Sequence, residues 1–349
     1  MKSWARFLLT VALVCTCAYA TIYVLAISPI FCAYSRSFAD VAPCYKYDTL
    51  GKNVDLLLVG DSSLLYGIKP SIVERDSRVT SYNYGMQGPA FPFDPESVID
   101  RFLKTNGKPR AVVVYFSPWT RLAPNKLSDP QWFPLALLTL RHRLWGEFGR
   151  LLLARPLAAA EIPQIIVKSI GLSRAPAMKW RAQMERDDGF LDYGSTLSEG
   201  HKSLTNCLEG NNGIAVPYAA DNLAAIIALR VHYRKLGLPL YVYVAPIALC
   251  DEQIDLVRKA YEGAADNQPT SLPNTYFADD NSVARHSHMN SAGAAAACHS
   301  FGAGECASFC GNAERHDDDL SNEGGELNCP ICSTSAKTHH PAIHGWGLD

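Results

Sequence analysis

The chain has 349 residues, is 48% hydrophobic and 19% charged, and carries a formal net charge of −2. That composition allows a sizeable core in one large or two small domains. With no basic excess, a nucleic-acid surface is excluded as a working class.

Lys2 and Arg6 precede an apolar run over residues 7–31, and no charged residue follows until Arg36. About 20 apolar residues cross a bilayer. Positive charge on the N-terminal side predicts a single pass with the N-terminus cytoplasmic. Ala18-Tyr19-Ala20 also resembles a cleavage site, so a removed signal peptide competes with an uncleaved anchor. The apolar character continues through Thr21-Ile22-Tyr23-Val24-Leu25-Ala26-Ile27, which favours the anchor. Residues 1–34 are thus expected to tether an extracytoplasmic domain to the cell membrane, and 35–53 read as a linker. Cys32 and Cys44 are able to form a short disulfide in an oxidising compartment, although spacing alone does not fix connectivity.

From about residue 54 to 297, strand-like and helix-like segments alternate, which predicts a parallel α/β sheet. Strands are expected over 54–59, 79–84, 111–116 and 238–244, with a short one at 275–277. Helices are expected over 95–104, capped by Asp94 with Pro95 in the first turn, and over 219–236, closed by Gly237 and Pro239. The rhythm breaks over 120–212, where apolar clusters alternate with Arg and Pro; this reads as a helical insertion near the carboxyl ends of the strands.

After Cys298 the aliphatic residues nearly vanish and periodicity is lost, so 298–349 reads as a disordered Cys/His-rich tail. Its Cys306, Cys310, Cys329 and Cys332 loosely suggest a zinc ribbon, but the irregular spacing makes no metal the working expectation.

Three loops carry chemistry. Gly60-Asp61-Ser62-Ser63 follows the first strand, at the edge where open α/β sheets bind their ligands. Asn83-Tyr84-Gly85-Met86-Gln87-Gly88 follows the second, and its glycines allow amide N–H groups to converge on an oxyanion. No dinucleotide fingerprint follows the first strand, so no cofactor is expected. Far downstream, His288-Met289-Asn290-Ser291-Ala292-Gly293 places an imidazole in a loop entering a helix, suited to take a proton from Ser62.

Taken in this order on a βα background, the stretch 54–297 resembles the SGNH/GDSL hydrolase superfamily, and within it a membrane-anchored bacterial branch of DltD-like and alginate-acetylation-type proteins. The resemblance implies a three-layer α/β/α sandwich with a mostly parallel, flavodoxin-like sheet. It implies Ser62 as nucleophile, His288 as base, and the amides of Ser62 and Gly88 as oxyanion donors. The family's third block supplies an Asn where this chain reads Phe116-Ser117-Pro118, leaving Ser117 as the substitute donor. The family's Asp three residues before the His is Arg285 here, leaving Asp279 or Asp280 to orient the imidazole. The implied activity is an esterase or O-acyltransferase acting on an envelope polysaccharide or lipid ester. The alternative is an envelope assembly protein that keeps the fold without turnover.

Overall fold

A computed structural model describes residues 2–87, 95–122, 136, 139–141, 143–154, 158–192, 218–248, 254–262, 264, 276–277, 288–289, 291, 293–295 and 297–298. The chain opens with α1 (Lys2–Ile27), α2 (Pro29–Tyr34) and α3 (Phe38–Asp48). β1 (Leu56–Gly60), α4 (Ser62–Gly67), α5 (Pro70–Ser77), β2 (Ser81–Gly85), α6 (Pro95–Thr105) and β3 (Ala111–Phe116) follow. The insertion carries α7 (Trp145–Ala154), α8 (Ala158–Ser169) and α9 (Ala175–Arg186). The chain then returns through α10 (Ala219–Lys235), β4 (Leu240–Val244), β5 (Ile247–Ala248), α11 (Ile254–Ala260) and β6 (Tyr276–Phe277).

Four strands form a parallel sheet in the order β2-β1-β3-β4. The runs Leu-Leu-Leu-Val-Gly and Ala-Val-Val-Val-Tyr-Phe are buried throughout, as strands covered on both faces require. Their alternation separates two cores. Leu57, Val59, Val112 and Val114 meet Phe102 of α6, Leu229 of α10 and Val257 of α11. Leu56, Leu58, Val113 and Tyr115 meet Leu64 of α4 and Val73 of α5. The expected strand at 275–277 pairs instead with β5 in a separate two-stranded ladder. The first strand begins two residues later than its apolar run suggests, because the Asp55 and Leu56 amides both bond Thr80 O.

The stretch 35–53, expected as a linker, contains α3, which buries Val41, Ala42, Cys44, Lys46 and Tyr47. Cys32 and Cys44 are disulfide-bonded and join α2 to α3. The last turns of α1, at Ile22, Tyr23 and Ala26, pack with Phe148 and Leu152 of α7 and with Ile162 and Ile166 of α8. Over Ser3–Ile27, α1 is long and apolar enough to cross a membrane. The insertion's α9 buries Ala177, Trp180 and Met184 against Leu65 and Tyr66 of α4 and Val41 of α3. The turn after α9 covers the free edge of β2, where the Asn83 amide donates to Asp188 O at 2.9 Å. Asp94 and residues 299–349, including Cys306, Cys310, Cys329 and Cys332, lie outside the described residues.

Candidate active site

The switch point of this sheet lies between β1 and β3, because the chain leaves β1 for β2 on one side and returns to β3 on the other. Ser62 stands there as the first residue of α4, 9% exposed. Its approach to the sheet depends on Gly60, where an added Cβ would lie 1.9 Å from Tyr115 O. At Gly85 on the neighbouring strand, an added Cβ would lie 2.6 Å from the Leu65 amide nitrogen. Both strand ends therefore lack side chains where α4 descends onto them.

Asp61 is the N-cap of α4, with Oδ1 accepting from the Ser63 amide at 2.8 Å. Its Oδ2 accepts from the Ser117 amide at 2.9 Å and from the Thr120 hydroxyl. One buried carboxylate thus ties the loop after β1 to the loop after β3. Burial pushes its carboxyl up from the usual carboxylate range, while these donors oppose the rise. The sequence marked Asp61 only as a turn residue; the reach across to Ser117 and Thr120 needed the sheet order to become visible.

His288 comes from 226 residues downstream and sets Nε2 2.9 Å from Ser62 Oγ. Its imidazole is 8% exposed and meets the edge of Tyr66 at 5.5 Å between ring centroids. Tyr66 is held in turn, its hydroxyl donating to Gln87 Oε1 at 2.8 Å. Met289 anchors the other side of the histidine, packing with Phe190 and Ala294. Beyond it, the Ser291 hydroxyl bonds Asp192 at 3.2 Å, and Cys298 Sγ accepts from the Lys69 amide at 3.0 Å. The segment carrying His288 is therefore fastened to α5 and to the turn after α9 at several points. Burial raises the Cys298 thiol to about 12, so it is held as an unreactive neutral group.

The end of β2 has a different organiser. Asn83 is fully buried; its Nδ2 donates to Leu64 O and Ile68 O at 2.8 and 2.7 Å, and its Oδ1 accepts from the Gly85 amide. Lys46, also fully buried, donates through Nζ to Asn83 O at 2.8 Å, to Asn83 Oδ1 at 3.3 Å and to Gly85 O. Burial holds the Lys46 ammonium well below the usual lysine range.

The structure thus brings Ser62 and His288 into hydrogen-bond contact. Ser117 lies on the far side of Asp61 with its amide engaged, so any donation to an oxyanion falls to its hydroxyl, which accepts from the Trp119 amide at 3.5 Å. Gly88, Asp279, Asp280 and Arg285 lie outside the described residues. Among the described residues, no group of three His, Cys, Asp or Glu side chains is placed to hold a metal ion. Sequence reasoning missed Lys46, Tyr66, Gln87 and Thr120. For Lys46 a signal existed in Val41-Ala42 and Tyr45-Lys46, which share one face at a spacing of four. Family models, curated proteins and solved structures were compared with the chain, and none matches it.

Proposed function

We propose that this chain is a membrane-anchored serine esterase or O-acyltransferase of the SGNH type, acting on an ester of an envelope glycan or lipid. The single observation that carries the reading is the 2.9 Å contact between Ser62 Oγ and His288 Nε2. A general base must lie within about 2.6–3.2 Å of the proton it removes. In this reading His288 Nε2 takes the Ser62 proton as Oγ attacks the ester carbonyl, and returns it to the departing alkoxide. Water or an acceptor hydroxyl then attacks the acyl-serine with the same base. The Ser62 and Gly88 amides hold the oxyanion, and an acid from Asp279 or Asp280 orients the imidazole. The sheet is the centre of a three-layer α/β/α sandwich of flavodoxin-like order. The Cys32–Cys44 bond favours an oxidising compartment, which agrees with an N-terminus on the cytoplasmic side and the main domain outside.

The test is covalent labelling of the full chain with a fluorophosphonate. The expected result is one adduct on Ser62, absent in Ser62→Ala and slowed at least about 100-fold in His288→Ala. Full labelling of Ser62→Ala overturns the nucleophile, and unchanged labelling of His288→Ala overturns the base.

One observation favours a second reading, an assembly protein that keeps this fold without turnover. Ser117 stands where the family's third-block Asn is expected, and its amide is bound to Asp61. An intact fold that neither reacts with fluorophosphonate nor cleaves p-nitrophenyl acetate is the outcome that selects it.

A further inference from the structure

The apolar arc of α7 is wider than the core needs. Phe148 and Leu152 face the cluster that receives the end of α1, yet Trp145 and Leu153, which adjoin them around the helix, face solvent. Leu153 is 83% exposed. On α8, Ile162 and Ile166 are buried while Val167 is exposed. Beyond α8, Leu172 is 97% exposed at the tip of a short turn. Large aliphatic side chains this exposed, grouped on consecutive elements, mark a surface that meets something apolar.

Their position relative to α1 identifies that partner. The last turns of α1 pack directly on α7 and α8. α2 follows α1 after one residue and has six residues, about 9 Å of helix. At its end, Ser35 forms an antiparallel bridge with Ile170, the Arg36 amide donates to Ser169 O at 3.0 Å, and the Gly171 amide donates to Tyr34 O at 2.6 Å. Leu172 is thus held within a few residues of the point where α1 ends. The same turn gathers positive charge. Arg36, Lys168 and Arg174 are exposed around it, with the Arg174 guanidinium 4.6 Å over the Tyr34 ring. The exposed acid of α8, Glu161, lies two turns away at the other end of that helix. Exposed aliphatics beside basic residues are the composition of helices that lie in a bilayer interface.

We propose that α7, α8 and the 171–174 turn form a foot resting on the leaflet from which α1 emerges. Leu153 and Leu172 enter the acyl boundary there, with Arg36, Lys168 and Arg174 set against lipid phosphates. This rests on the reading that α1 spans the bilayer. Because α9 continues from the foot and packs on Leu65 and Tyr66, the contact fixes the height of Ser62 above the membrane. A lipid-borne acyl donor or acceptor would then meet the serine at a set distance.

The test places p-benzoylphenylalanine, one site at a time, at Leu172, Leu153, Leu13 in α1 and Ile227 on α10. The full chain is reconstituted in vesicles of phosphatidylethanolamine and phosphatidylglycerol, irradiated, and analysed for lipid adducts by mass spectrometry. Ile227 is exposed on the helix beside β4, at the opposite sheet edge from β2. The expected result is adducts at 13, 153 and 172 roughly tenfold above position 227. Adducts at 13 with none above position 227 at 153 and 172 overturn the foot and leave the anchor intact. No adduct at 13 overturns the anchor, and the foot with it. Replacing phosphatidylglycerol by phosphatidylcholine should lower the yield at 172 about threefold; an unchanged yield overturns the role given to the three basic residues.

Discussion

Two buried charges flank Ser62 and organise the backbone in opposite ways. On the β3 side, Asp61 is an anion that collects donors, and the Ser117 amide is one of them. On the β2 side, Lys46 collects acceptors, the carbonyl oxygens of Asn83 and Gly85. The anion engages N–H groups of the loops after β1 and β3, whereas the cation engages carbonyl groups at the end of β2, where the Asn83, Gly85 and Met86 amides are taken by Asp188 O, Asn83 Oδ1 and Gly60 O. The contrast teaches that the two sides of Ser62 are fastened by opposite chemistry, one through donors and the other through acceptors. It also gives the two sites opposite responses to pH. A carboxyl raised in the folded state loses stabilising contribution as pH rises, and a depressed lysine regains stability as pH rises toward its unfolded value.

Three substitutions break or sharpen this comparison. The largest effect is expected from Lys46→Ala, which strips a donor from two buried carbonyl oxygens and from Asn83 Oδ1, which keeps only the Gly85 amide, and opens a cavity; it should cost about 4 kcal/mol in denaturant unfolding of the full chain in micelles. Lys46→Met keeps the volume and loses only the donors, and should cost about half as much. Equal losses in the two would show that packing, not donation, is what Lys46 supplies. Next comes Asp61→Ala, which leaves two buried amides and a hydroxyl without their acceptor, at about 3 kcal/mol. It should also slow fluorophosphonate labelling, because the Ser62 turn is freed from β3. Unchanged labelling in a folded Asp61→Ala protein would separate stability from positioning.

The effect that exists only at one end of the pH range belongs to Asp40, a third buried ionisable group placed away from Ser62. Burial raises its carboxyl to about 6 against the Ser35 hydroxyl bond that lowers it. The folded value lies above the unfolded one, so its contribution is full below pH 3.8 and is lost as pH rises through about 6. Asp40→Asn should therefore leave stability unchanged at pH 3.5 and raise it by about 3 kcal/mol at pH 7. Unfolding curves at those two pH values decide it; a uniform shift at both would assign the effect to packing.

Much of the sheet was legible because buried parallel strands announce themselves as apolar runs, and 111–116 matches β3 without a shift. Ser62 and His288 were singled out from their order along the chain, and they meet although β6, the strand before His288, pairs outside the four-stranded sheet. Lys46 was hidden because 35–53 read as a linker, whereas it holds α3 with Pro43 inside the helix. Asn83 was read for the bend it permits, whereas its amide side chain fastens the end of α4. The carboxylate of Asp61 looked local because a turn accounts for it; its second partner lies 56 residues away. Long-range polar bonds leave no periodic trace, and that is why sequence pattern missed them.

The Cys32–Cys44 bond has a mechanical consequence. It closes a ring of short helices between the end of α1 and Lys46, so the path from α1 to the sheet is tied across its middle. A pull on α1 would be delivered through two sulfurs to α3 and then, through Lys46 Nζ, to the end of β2. With α1 as the proposed anchor, the domain would be carried on a bracket rather than a leash, and reduction of that bond is the chemical step that would turn one into the other.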